Sequence, residues 1–136
     1  MLLVDTSIWS LAFRRDRPQE HPKVDHLREA LASGADVSLT GIILQELLQG
    51  VRGPKQRKVL LARLEALPLV EPERRDHVEA AELRNTCRRR GVQLGTVDAS
   101  IAALCIRHNL TLLTADQDFE HAARIIPLKL WRVPAS

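Results

Sequence analysis

Short apolar runs alternate along this chain with longer segments in which apolar residues recur every three or four positions. The runs at 2–5, 37–39, 69–71, 111–114 and 129–133 read as strands. They are rich in Leu and Val and do not alternate with polar residues, as expected for a parallel sheet covered on both faces. The segments 7–13, 23–32, 42–51, 55–66, 74–90, 97–108 and 119–125 carry helical periodicity. Gly34 and Gly91 stand where helices should stop, and Gly53-Pro54 separates two helices as a helical hairpin would require. Strand and helix in regular alternation predict an α/β fold with a parallel sheet. No repeat, linker or low-complexity stretch interrupts the pattern, so a single domain over 1–136 is expected.

Composition narrows the class. Apolar residues make up 45% of the chain and charged residues 27%, as in ordinary globular proteins. No apolar run approaches the ~20 residues that span a bilayer, and the N-terminus has no basic segment ahead of an apolar one. A cytoplasmic protein without membrane contact is expected. Cys87 and Cys105 form no C-x-x-C pair and fall in helical segments, so buried free thiols are expected. The aromatics are Trp9, Phe13, Phe119 and Trp131, with no Tyr, too few for a base-stacking platform.

Four carboxylates stand out from this frame. Asp5 closes the first strand, and Asp116 follows the fourth apolar run. Ligands of open α/β sheets bind beyond the carboxyl ends of the strands. Asp98 lies in the first turn of a helix with Thr96 as the expected N-cap, where the unpaired N–H groups favour a carboxylate. Glu46 lies within a helix, with Ile42, Ile43, Gln49 and Gly50 as its neighbours one turn away, so it is expected along or near an apolar stripe. Carboxylates gathered without cations repel one another, and a hard divalent metal is the usual agent that holds them. Charge agrees. The chain has 20 basic and 17 acidic residues, net +3; without these four acids, 13 acidic residues face 20 basic ones, a balance of +7. A basic body around an acidic hole suits a polyanionic substrate. Arg88-Arg89-Arg90 is the sharpest basic run, readable as an RNA contact or as a solvated helix end.

Val4-Asp5-Thr6-Ser7-Ile8-Trp9, Leu44-Gln45-Glu46-Leu47, Asp98-Ala99-Ser100-Ile101-Ala102-Ala103 and Leu113-Thr114-Ala115-Asp116-Gln117-Asp118-Phe119 together resemble the PIN-domain ribonucleases, and among them the VapC toxins of toxin–antitoxin pairs. The resemblance implies a three-layer α/β/α fold with a five-stranded parallel sheet in the order 3-2-1-4-5, placing Asp5 beside Asp116. It implies an Mg²⁺ or Mn²⁺ site made by Asp5, Glu46, Asp98 and Asp116, with Thr6, Ser7 and Thr114 in support. Asp118 matches a further acid of that loop, or serves as an N-terminal acid of the next helix. Ser7 is a hydrogen-bond donor to phosphate or carboxylate, or the N-cap of its own helix. The implied activity is metal-dependent endoribonuclease cleavage, with Asp5 and Asp98 on the principal ion and Asp116 and Glu46 completing the site. A VapB-type antitoxin, an RNA substrate and a homodimer are the implied partners.

Three other classes compete. A histidine ribonuclease needs paired histidines at the sheet edge, and none of His21, His26, His77, His108 or His121 is placed there. A phospho-acceptor receiver domain needs an Asp after its third strand and a Lys after its fifth, where this chain has Glu71 and the segment Leu130-Trp131-Arg132-Val133. A non-cleaving PIN-like binding module is opposed by the retention of all four acids, as is any reading of a degenerate site.

Overall fold

The computed structural model describes residues 1–13 and 21–135. Its elements run β1 (Leu2–Val4), α1 (Thr6–Ala12), α2 (Pro22–Ala32), β2 (Val37–Ser38), α3 (Gly41–Gln49), α4 (Pro54–Leu64), α5 (Arg74–Arg89), α6 (Thr96–His108), β3 (Thr111–Leu113) and α7 (Gln117–Ala122). The strands form a parallel sheet in the order β2-β1-β3, with Leu3 opposite both Ser38 and Leu112. Leu3, Val4, Leu112 and Leu113 are fully buried, which explains their unbroken apolar character.

Among the described residues, three strands are found where five are expected. The outer two are reduced to single parallel bridges, Leu69 beside Leu39 and Leu130 beside Leu112. Each bridge is held by two backbone hydrogen bonds of 2.7–2.9 Å, Leu39 N–H to the Pro68 carbonyl and Val70 N–H to Leu39 on one side, Leu112 N–H to Lys129 and Trp131 N–H to Leu112 on the other. The bridges keep the spatial order 3-2-1-4-5, but the pairing does not propagate. Among the described residues, no helix is long and apolar enough to cross a membrane.

Helix boundaries follow local chemistry. Thr40 caps α3 by accepting from the Ile43 N–H, and His21 caps α2 through Nδ1 ahead of Pro22. Gly34 and Gly91 adopt φ of +73° and +76° just beyond α2 and α5, the left-handed geometry that glycine tolerates. Gly53 is the N-cap of α4 and Pro54 its first residue, and α3 and α4 pack against each other. Cys87 and Cys105 are free and buried.

Helices α5 and α6 pack side by side, and a partly buried ion pair ties them. Asp76, 2% exposed, accepts two hydrogen bonds from Arg107, at 2.6 and 2.7 Å. Asp76 also accepts from the Glu73 N–H in a capping box that starts α5. The bidentate Arg107 contact is the chief reason that the Asp76 carboxyl is lowered to about 2. The pair joins the start of α5 to the end of α6, and so fixes the helix that carries Asp98.

Candidate active site

The carboxyl edge of the sheet gathers the acids. Asp5 directly follows β1, its N–H bonded to the Leu113 carbonyl at 2.9 Å, so the ladder runs on into the site. Asp5 occupies the N-cap position of α1 but caps nothing with its side chain. Its Oδ2 instead accepts from Ser7 Oγ at 2.9 Å and from Thr114 Oγ1 at 2.8 Å. Both hydroxyls are used twice. Ser7 Oγ accepts from the Ala115 N–H at 3.1 Å, and Thr114 Oγ1 from the Asp116 N–H at 3.0 Å. Two of these hydrogen bonds, from Thr114 to Asp5 and from the Ala115 N–H to Ser7, tie the start of α1 to the loop after β3, and Asp5 beside them is only 7% exposed. Ser7 is therefore the carboxylate donor and not the N-cap of its helix.

The tightest group of carboxylates is Asp98, Asp116 and Asp118. Each offers one oxygen, and the three oxygens lie within 4.8 Å of one another. Asp116 caps α7, accepting from the Asp118 N–H at 2.9 Å, so the helix starts at Gln117 and not near Phe119. Asp118 lies in the first turn of α7, and its carboxylate is one of the three that converge. Asp98 sits two residues into α6, whose N-cap is Gly95 and not Thr96.

Glu46 differs from expectation. It is exposed, not set in an apolar stripe, and accepts from Thr6 Oγ1 at 3.0 Å. The core face of α3 is Ile43 and Leu47, and at 100° per residue Glu46 falls beyond its edge. It stands on the rim, so burial does not account for it.

The PIN domain model matches residues 2–125. The chain belongs to the PIN-domain family. Within it, the chain is of the VapC type: it is 30% identical to Ribonuclease VapC11 of Mycobacterium tuberculosis over 131 residues, covering 95% of this chain and 96% of that one. Among solved structures, it superposes on FitAcB from Neisseria gonorrhoeae with a TM-score of 0.73 and 26% identity over 97% of each chain. VapBC2 from Rickettsia felis, bound to a DNA fragment from its promoter, gives 0.75 and 25% over 96% of each.

The electrostatics of this PIN-type corner are those of uncompensated charge. Asp98 is pushed up to about 6, first by burial and then by Asp116, Asp5, Asp118 and Glu46. Among the described residues, none of these five acids forms an ion pair with a cation. Lys23 braces the corner from behind, donating to the Thr114 carbonyl at 2.7 Å and lying 4.0 Å from Glu120. The donor set is all carboxylate oxygen, which suits Mg²⁺ or Mn²⁺ over softer ions. Arg88 lines a cleft of about 370 Å³ with Asp98 and Asp118. Arg89 donates to Thr86 Oγ1, and Arg90 closes α5.

The histidines lie elsewhere. His21 caps α2, His26 stacks on Trp131 with ring centroids 4.3 Å apart, and none joins the carboxylate group. The sequence reading missed Arg84, which lines the same cleft as Arg88, and the Asp76–Arg107 pair. Arg84 and Arg88 are four apart on one helix, a spacing that the basic-run signal passed over.

Proposed function

We propose that this VapC-type ribonuclease hydrolyses RNA phosphodiester bonds at the corner formed by Asp5, Asp98, Asp116 and Asp118, with Glu46 on its rim. The observation that carries the reading is the convergence of three carboxylate oxygens within 4.8 Å beside the clamped Asp5, with no cation paired to them among the described residues. Asp98, Asp116 and Asp118 would hold Mg²⁺ or Mn²⁺, with Asp5 alongside. Such an ion, when bound, lowers the pKa of water and takes up charge on the phosphoryl oxygens.

The protein's own part is positioning. Ser7 and Thr114 fix the rotamer of Asp5, leaving its Oδ1 without a protein donor among the described residues. Asp116 has one oxygen committed to the Asp118 N–H, which sets the direction of the other. Thr6, at the start of α1, orients the solvent-exposed Glu46 of α3. A VapB-type antitoxin is the partner on this reading, supported by the likeness to the FitAcB and VapBC2 complexes.

The test is cleavage of RNA by the purified chain with Mg²⁺ or Mn²⁺ and with chelator, joined to growth on expression. Cleavage should require the ion, and expression alone should arrest growth, relieved by a co-expressed antitoxin. Undiminished cleavage in chelator would refute the metal reading. Harmless expression of active, folded protein would refute the toxin role.

A further inference from the structure

The cleft beside the acidic corner has walls of opposite charge. Asp98 and Asp118 form one wall, and Arg84 and Arg88 of α5 form the other. Gln93, Leu94 and Gly95 lie between them, in the loop that enters α6. The two arginines are one helical turn apart and share a face. Among the described residues, neither forms an ion pair.

Arg84 is pre-set. Its Nε donates to the carbonyl of the buried Leu94 at 3.0 Å, while its Nη groups have no protein acceptor among the described residues. Arg88 is exposed, and its guanidinium makes no hydrogen bond among the described residues. A guanidinium whose stem is fixed and whose terminal donors are unused is matched to a phosphate oxygen pair. The location adds the reason. A corner of acids repels an RNA backbone, and screening limits compensation to cations within ~8 Å at physiological salt. Among the described residues, Arg84 and Arg88 are the cations that share a cleft with Asp98 and Asp118.

The geometry points to Arg84 and Arg88 as a phosphate subsite that holds the RNA backbone one step away from the bond cleaved at the acidic corner. This rests on the ribonuclease reading and adds to it a residue pair and a direction: the strand runs along the cleft between α5 and the start of α6. The pair positions substrate and takes no part in the chemistry. Arg84 has a second effect, because its Leu94 contact also steadies the loop before Asp98.

Binding and cleavage separate the two claims. The binding probe is a short fluorescein-labelled single-stranded RNA, read by anisotropy on Asp98→Asn protein so that nothing is consumed. Adding Arg88→Gln should weaken binding about three- to tenfold and lower the log–log salt slope by about 0.7, the value for one phosphate contact on a single strand. Arg88→Lys should restore the slope. Arg84→Gln should do the same as Arg88→Gln and also lower kcat, whereas Arg88→Gln in the otherwise native enzyme should raise KM with kcat kept. Unchanged affinity and slope in Arg88→Gln would overturn the subsite. So would a variant that binds Mn²⁺ more tightly but RNA as before, since the arginines would then only be neutralising the acids. Intact RNA after incubation of native protein with Mg²⁺ or Mn²⁺ would instead refute the ribonuclease reading, whatever the binding arm gives.

Discussion

Replacing Asp98 by Asn should make the metal-free protein more stable at neutral pH, and only there. The native carboxyl is raised from 3.8 to about 6, by burial first and by Asp116, Asp5, Asp118 and Glu46 after it. For an acid raised on folding, the stabilising contribution is present below the unfolded value and is lost as pH rises through about 6. At ~1.36 kcal/mol for each pH unit the full shift corresponds to about 3 kcal/mol, which solvent screening at this half-buried carboxyl cuts to about 2 kcal/mol. The net gain for Asp98→Asn at pH 7.5 is then about 2 kcal/mol, or about 4–8 °C in Tm. Below pH 4 the native side chain is protonated and nearly isosteric with Asn, so the two proteins should melt together. The assay is thermal unfolding in chelator at both pH values. A variant less stable than native protein at pH 7.5, or a gain of equal size at pH 4, would refute the account of charge crowding at this corner.

Other consequences concern the frame and the donors. Asp76→Asn removes the anion beneath the partly exposed Arg107 and should cost about 1–2 kcal/mol at neutral pH, read by urea unfolding. Because the native carboxyl is depressed to about 2, its stabilisation holds above about 4 and is lost as pH falls toward 2, so the gap between the two proteins should close there. Thr114→Val deletes a donor to Asp5 and the acceptor of the Asp116 N–H, and should weaken Mn²⁺ binding about tenfold in calorimetry with the fold kept. Binding of Mn²⁺ by native protein should weaken as pH falls through about 6, because protons compete at Asp98.

The periodicity placed nearly every helix and the three central strands. Those signals survive because Leu3, Val4, Leu112 and Leu113 are buried on both faces and leave no polar alternation to misread. The outer strands were overcalled. Leu69 is 47% exposed and stands between Pro68 and Pro72, and the segment around Leu130 lies between Pro127 and Pro134. Proline cannot donate to a ladder, so pairing there stops after one bridge. Glu46 was misplaced because Ile42 and Ile43 suggested a wider apolar stripe than α3 buries. The double use of the Ser7 and Thr114 hydroxyls was not legible, since it depends on how the β3–α7 loop meets the start of α1. The Asp76–Arg107 pair left only its capping-box half in the local sequence, and its partner lies 31 positions away.

The most direct test of the acidic corner is a paired measurement on Asp5→Asn, Asp98→Asn and Asp116→Asn. Each folded variant is assayed for Mn²⁺ binding by calorimetry and for cleavage of one labelled RNA. Each swap keeps the shape of the side chain and removes an anionic oxygen donor. The account predicts that all three lose Mn²⁺ affinity and cleavage together while keeping the native circular dichroism spectrum. A folded variant at any of the three positions that cleaves at the native rate would contradict it.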